Sequence, residues 1–158
     1  MSFPARSTDF DSYLTAPPRP VPPLVFTDEE DAQHALADYR GKVVVLKMWA
    51  TWCGPCVLEM PELDALQDRF SKDKLIVIPL TENGNEDAVN AYYAKHQITR
   101  LPIALDKFMA GMKAFQVSEL PVTVIIDKAG REVARISGPA DWSALEMLDF
   151  LKRQTEAN

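Results

Sequence analysis

A continuous apolar run, Val43-Val44-Val45-Leu46, leads into Cys53-Gly54-Pro55-Cys56, and behind the second cysteine the apolar residues Met60, Leu63, Leu66 and Phe70 fall at helical spacing. An unbroken run of this kind suits a central strand covered on both faces, and the spacing after it suits an amphipathic helix. The cysteine pair therefore sits at a strand-to-helix turn. A second apolar run at 75–80 completes a strand-helix-strand unit, and the alternation continues along the chain. Helices are expected at 85–96, 107–115 and 141–152, a short strand at 103–105, and strands at 122–126 and 132–136. Asp127-Lys128-Ala129-Gly130 has turn chemistry, so the last two strands are expected to pair as an antiparallel hairpin. Ahead of the unit, Thr27 with Glu30 at capping-box spacing and Gly41 beyond predicts a helix over 28–39. The pattern as a whole predicts an α/β fold with strands buried beneath helices.

At 158 residues and 47% hydrophobic composition, the chain can bury one core without staples. Pro4, Pro17, Pro18, Pro20, Pro22 and Pro23 crowd its start. They bias residues 1–23 toward extended geometry, which predicts a tether before a domain spanning 24–158; a segment draped over that domain is the alternative. A net charge of −6 argues against a nucleic-acid partner, which calls for a basic face. No stretch reaches the length of a membrane-spanning helix, and the first residues lack the apolar region of a signal peptide. Neither fact settles the compartment.

The chain has two cysteines, both in the CxxC. Disulfide exchange needs one thiol with a depressed pKa to attack and a second close by to resolve the mixed disulfide. At a helix start Cys53 would meet the positive end of the helix dipole, with Cys56 one turn inside, so Cys53 is the candidate nucleophile. Pro55 fits the first turn, where its missing N–H costs nothing; Pro61 is expected to kink the same helix. A closed zinc site needs about four ligands, and His34 and His96 lack finger-like spacing. No metal and no organic cofactor are expected; two inert thiols are the other alternative.

Trp52, beside the nucleophile, is a candidate platform for a substrate peptide, and Trp49 reads as core. Pro121 follows Leu120 and precedes a strand. A cis proline there would leave the Leu120 backbone free to pair with an extended substrate, whereas a trans proline would merely start the strand. Position alone leaves both open.

Two stretches resemble the TlpA-like (TlpA/ResA-type) branch of the thioredoxin superfamily. The first is Arg40-Gly41-Lys42-Val43-Val44-Val45 with Trp49-Ala50-Thr51-Trp52-Cys53-Gly54-Pro55-Cys56 and Glu59-Met60-Pro61-Glu62-Leu63; the second runs from Val117 through Leu120-Pro121 to Asp127, then Gly130 and Gly138. The resemblance implies a thioredoxin fold, a central mixed sheet flanked by helices, with this branch's helix-strand insertion corresponding to 86–115. It implies a cis Pro121 and makes Glu59 the family acid that influences proton transfer at the thiols. Its alternative is a first-turn glutamate complementing the helix dipole. Lys47 departs from the branch, which commonly has an uncharged amide there; pointing inward it would need a carboxylate such as Glu59, and pointing outward it would snorkel. Val122 and the acidic Glu119 also depart.

The resemblance further implies a monomeric protein-disulfide reductase outside the cytoplasm, soluble as given or anchored natively. It would relay electrons from a membrane thiol donor to cysteines of apocytochrome c or of copper-site assembly proteins. A cytosolic general thioredoxin, an oxidase or isomerase of secreted proteins, and a copper-delivering module remain the alternatives.

Overall fold

The computed structural model describes residues 10–82 and 85–158. Eight strands form one mixed sheet in the order β1-β8-β7-β4-β5-β6-β2-β3. They are β1 (Leu14–Pro20), β2 (Val25–Thr27), β3 (Gln33–Ala35), β4 (Val43–Trp49), β5 (Leu75–Thr81), β6 (Ala104–Leu105), β7 (Val122–Ile126) and β8 (Arg131–Ser137). The apolar run is the inner strand β4, buried along its whole length. It runs parallel to β5 (Val43 opposite Leu75, Trp49 opposite Thr81) and antiparallel to β7 (Val44 opposite Ile126, Met48 opposite Val122).

Four α-helices accompany the sheet: α1 (Gly54–Arg69), α2 (Glu86–His96), α3 (Ala110–Ala114) and α4 (Leu145–Glu156). Alternate residues of β4 divide the core, as the pleat requires. Val43, Val45 and Trp49 pack with Met60, Leu63 and Leu66 of α1, with Tyr92 and Tyr93 of α2, and with Phe150 and Leu151 of α4. Val44, Leu46 and Met48 pack on the other face with Leu36 and Phe115. The thioredoxin-like plan is the one expected, with α2 and β6 forming the inserted helix and strand.

The helix expected over 28–39 is absent. Asp28 Oδ1 instead accepts from the N–H groups of Glu30 (2.8 Å) and Ala32 (3.0 Å), and Asp31 takes a left-handed φ of 62°. These bonds close a turn, so β2 and β3 become a hairpin, and only a 3-10 turn at Leu36–Tyr39 remains of the helix. Thr27, the expected cap, pairs with Leu105 of β6. The Pro-rich tether is corrected in part as well. Leu14–Pro20 is a strand at the sheet edge, paired with β8 and tied to it by Thr15 and Arg19, which both donate to Glu132. An edge strand has one side that needs no N–H donors, so prolines are admitted. Residues 1–9, including Pro4, lie outside the described residues. The last helix begins at Leu145 rather than 141, because Asp141 Oδ1 takes the N–H and hydroxyl of Ser143 in a turn of its own.

Candidate active site

Cys53 is the N-cap of α1, in extended conformation, and its Sγ accepts from the Cys56 N–H at 3.3 Å. The two cysteines form a disulfide with their Cα atoms 5.3 Å apart. Cys53 keeps 7% of its surface exposed and Cys56 none. This asymmetry fits an attacking and a resolving thiol, and the free N–H groups of the first turn suit a thiolate at Cys53. Gly54 and Pro55 are exposed at the start of the helix. Trp52 is 72% exposed beside them, while Trp49 is fully buried and donates its indole N–H to the Pro79 carbonyl at 3.2 Å.

The Leu120–Pro121 peptide is cis. Met48 pairs with Val122, so continuing the ladder by one residue sets Pro121 level with Trp49, at the strand end that delivers the CxxC. Pro121 O accepts from the Gly138 N–H at 2.8 Å. A cleft of about 330 Å³ opens beside it, lined by Glu119, Leu120, Pro121, Arg135 and Ser137 among others. A hollow of about 160 Å³, lined by Val21, Tyr39, Val44 and Ile126, lies at the opposite end of β4.

Beneath α1 the structure brings Lys47 and Glu59 together. Lys47 is fully buried rather than snorkelling, and its ammonium bonds Glu59 Oε1. Glu59 Oε2 accepts from the Ala140 N–H at 3.0 Å and from the Trp142 indole at 2.7 Å. Burial lowers the Lys47 pKa, and the Glu59 charge offsets part of that drop. Glu59 thus joins β4, the CxxC helix and the segment after β8. From there Gly138 leads back to Pro121.

Two further features escape sequence reasoning. Pro61 lies inside α1, which continues through it, and the carbonyl it leaves without a partner is that of Val57. The Tyr92 hydroxyl of α2 donates to that carbonyl at 2.6 Å. A buried acid pair, Glu82 and Asp106, stands past the ends of β5 and β6. An acid directly after each of two strands is the sequence signal for it, although nothing in spacing says that the two meet. His34 pairs with Asp28 and stacks on Phe26, and His96 lies against the Tyr92 ring, so the histidines are not brought together. Among the described residues no group of three or more His, Cys, Asp or Glu is arranged to hold a metal ion.

Residues 17–134 match the AhpC/TSA family. The thiol-disulfide oxidoreductase ResA of Bacillus thuringiensis subsp. konkukian (strain 97-27) is 33% identical over 135 residues, covering 85% of this chain and 76% of that protein. ResA of Geobacillus kaustophilus is 34% identical over 118 residues, covering 75% and 67%. Among solved structures, one described as the thiol:disulfide interchange protein DsbE of Chlorobium tepidum superposes with a TM-score of 0.76 over 87% of this chain and 96% of that one, at 19% identity, a likeness of fold. A cysteine pair poised at a helix start, on this fold and with these relatives, makes the chain a thiol-disulfide oxidoreductase that belongs to the AhpC/TSA family and to its ResA-like members.

Proposed function

We propose that the chain is a protein-disulfide reductase working outside the cytoplasm, and that Cys53 is its nucleophile. The observation that carries this reading is the position of Cys53: N-cap of α1, with 7% of its surface reaching solvent and Cys56 sealed behind it. In the reduced protein the Cys53 thiolate attacks a client disulfide, forming a mixed disulfide and expelling one client thiolate. Cys56, as thiolate, then displaces the client from Cys53. The client leaves as a dithiol with two electrons gained, and the Cys53–Cys56 disulfide is what a membrane thiol donor must reduce again.

Trp52, Pro55, Leu120 and Pro121 form the client-facing surface in this reading, with an extended client segment laid along Leu120. Lys47 and Glu59 set the electrostatics under the thiols. Cysteines of apocytochrome c or of copper-site assembly proteins are the proposed clients, following the family resemblance. Among the described residues no helix is long and apolar enough to cross a membrane.

The reduction potential of the Cys53–Cys56 couple, measured by Trp fluorescence in thiol-disulfide buffers, tests the direction. Protein dithiol-disulfide couples run from about −270 mV for thioredoxin to about −120 mV for a strong oxidant. A value at or below about −230 mV supports the reductase, and one above about −150 mV makes the chain an oxidant or isomerase.

A further inference from the structure

Two buried acids that the exchange chemistry does not use stand together away from the thiols. Glu82 and Asp106 are 4% and 3% exposed. They directly follow the parallel strands β5 and β6, and so lie past the end of the sheet that also carries the CxxC turn. The Glu82 N–H donates to the Trp49 carbonyl and the Asp106 N–H to the Thr81 carbonyl, each at 2.9 Å. Their side chains gather the start of α3. Asp106 Oδ1 accepts from Ala110 N–H (2.8 Å), Asp106 Oδ2 from Gly111 N–H (2.6 Å) and Glu82 Oε1 from Met112 N–H (3.1 Å). The fit at Gly111 leaves no room for a side chain: a Cβ would stand 2.7 Å from Leu80 Cδ2 and 3.0 Å from Asp106 Oδ2.

The remaining oxygen, Glu82 Oε2, is buried and meets no N–H or hydroxyl donor. The Asp106 carboxyl lies beside Glu82: the same point off Gly111 is 3.0 Å from Asp106 Oδ2 and 3.6 Å from Glu82 Oε1, and Asp106 acts on the Glu82 proton. Two ionised carboxylates offer only acceptors, so a bond between them requires a proton held in common. Burial, and then the Asp106 bond and charge, push the Glu82 pKa up to about 9, which keeps that proton in place at neutral pH. Lys107, the neighbour of Asp106, is drawn away to Asp31 at 2.6 Å, and Lys113 of α3 is exposed.

We propose that the buried Glu82–Asp106 pair is a positioning device for the exchange reaction, locking the 106–121 segment to the end of β4 and so fixing Leu120 and Pro121 relative to Cys53. The inference rests on the reading of Leu120 and Pro121 as client-facing. One side of the lock is Trp49, whose carbonyl Glu82 holds just ahead of the CxxC turn. The other is α3, from which the chain passes to Val117, bonded to Met112 O at 2.8 Å, and to Phe115, whose carbonyl takes Arg135 Nη1 at 2.6 Å. Loss of the Glu82 proton would set two buried carboxylates against each other and release the start of α3.

The test follows the Glu82 side-chain carboxyl carbon by 13C NMR from pH 6 to pH 10.5, alongside KM for a disulfide-bonded test peptide and the rate with hydroxyethyl disulfide, which is too small to need the Pro121 wall. In the native chain the carbon is expected to titrate near pH 9, with KM for the peptide rising about tenfold over the same range and the small disulfide showing no matching loss. Glu82→Gln, which keeps a donor without an ionisation, is expected to abolish that rise. Gly111→Ala is expected to raise KM at neutral pH while leaving the Cys53 thiol pKa unchanged. A carbon that does not titrate near pH 9, a flat KM, or the same rise in Glu82→Gln would overturn the proposal. Pro121→Ala with unchanged peptide KM would instead overturn the client-facing reading, and the inference with it.

Discussion

Lys47 and Glu59 show how much one substitution changes the floor of a thiol site. A buried ammonium without a partner is costly, and so is a buried carboxylate. Each here answers the other, and Ala140 N–H and Trp142 Nε1 take up the second oxygen. Lys47→Met is therefore expected to destabilise the chain by about 3–5 kcal/mol, the range for breaking a buried pair on one side. Adding Glu59→Gln should recover part of that loss, because the uncompensated charge is gone. Chemical denaturation of the two variants checks this, and a double variant no more stable than Lys47→Met would contradict it. At this scale the sequence was legible where chemistry is local. Cys53, Cys56, Trp52 and Pro55 could be placed from the CxxC alone, and charge called for a carboxylate at Lys47 if it pointed inward, a direction the sequence left open. The bonds from Ala140 and Trp142 to Glu59 join residues far apart in sequence, and no spacing rule reaches them.

At the scale of elements, α1 carries a proline that its own backbone cannot accommodate without an orphaned carbonyl, and the inserted helix α2 supplies the missing donor through Tyr92. Tyr92→Phe is expected to cost about 0.5–1.5 kcal/mol, the loss of a hydrogen bond to a partly buried carbonyl. A loss within about 0.3 kcal/mol of zero by urea denaturation would mean that water replaces the hydroxyl. Besides its backbone pairing with β8, the edge strand β1 is tied down by one acid, Glu132. Burial raises the Glu132 pKa, but its bonds from Arg135 and Thr15 and the nearby cations outweigh burial and leave it below its usual 4.5. Its contribution is therefore present above about pH 4.5 and lost as pH falls through the lowered value, so β1 should be released only below the ordinary carboxylate range. Amide exchange at Arg135, whose N–H donates to Tyr13 O at 2.8 Å, reports that release. Strands with unbroken apolar runs were legible in the sequence, and so was α1. The 28–39 region was not, since Thr27, Glu30 and Gly41 satisfy the helix rules, and the competing Asp28 turn closes a β2–β3 hairpin whose Thr27 pairs with β6. The prolines of β1 likewise read as tether because edge position is a property of the sheet, not of the segment.

For the whole molecule, β4 is the axis that connects these parts: Lys47 beneath the thiols, Trp49 at its end, β7 with Pro121 on one side and β5 with Glu82 on the other. The raised Glu82 pKa also marks global stability. A group with its folded pKa raised from 4.5 to about 9 contributes stability that is complete below 4.5 and lost as pH rises through 9. The native chain should lose stability steadily across that window, and Glu82→Gln should flatten the slope in thermal melts. The overall architecture was legible because strand and helix patterns alternate in the order this fold needs. The pairing of Glu82 with Asp106 was not, because it depends on two strands ending at the same level.

Attack by Cys53 and release by Cys56 leave a mixed disulfide that can be trapped. Reduced Cys56→Ser and Cys53→Ser chains are each mixed with a disulfide-bonded peptide and weighed by intact mass spectrometry. A stable mixed disulfide is expected on Cys53 in the Cys56→Ser chain and little or none in the Cys53→Ser chain. An adduct forming as readily on Cys56 in the Cys53→Ser chain would contradict these roles.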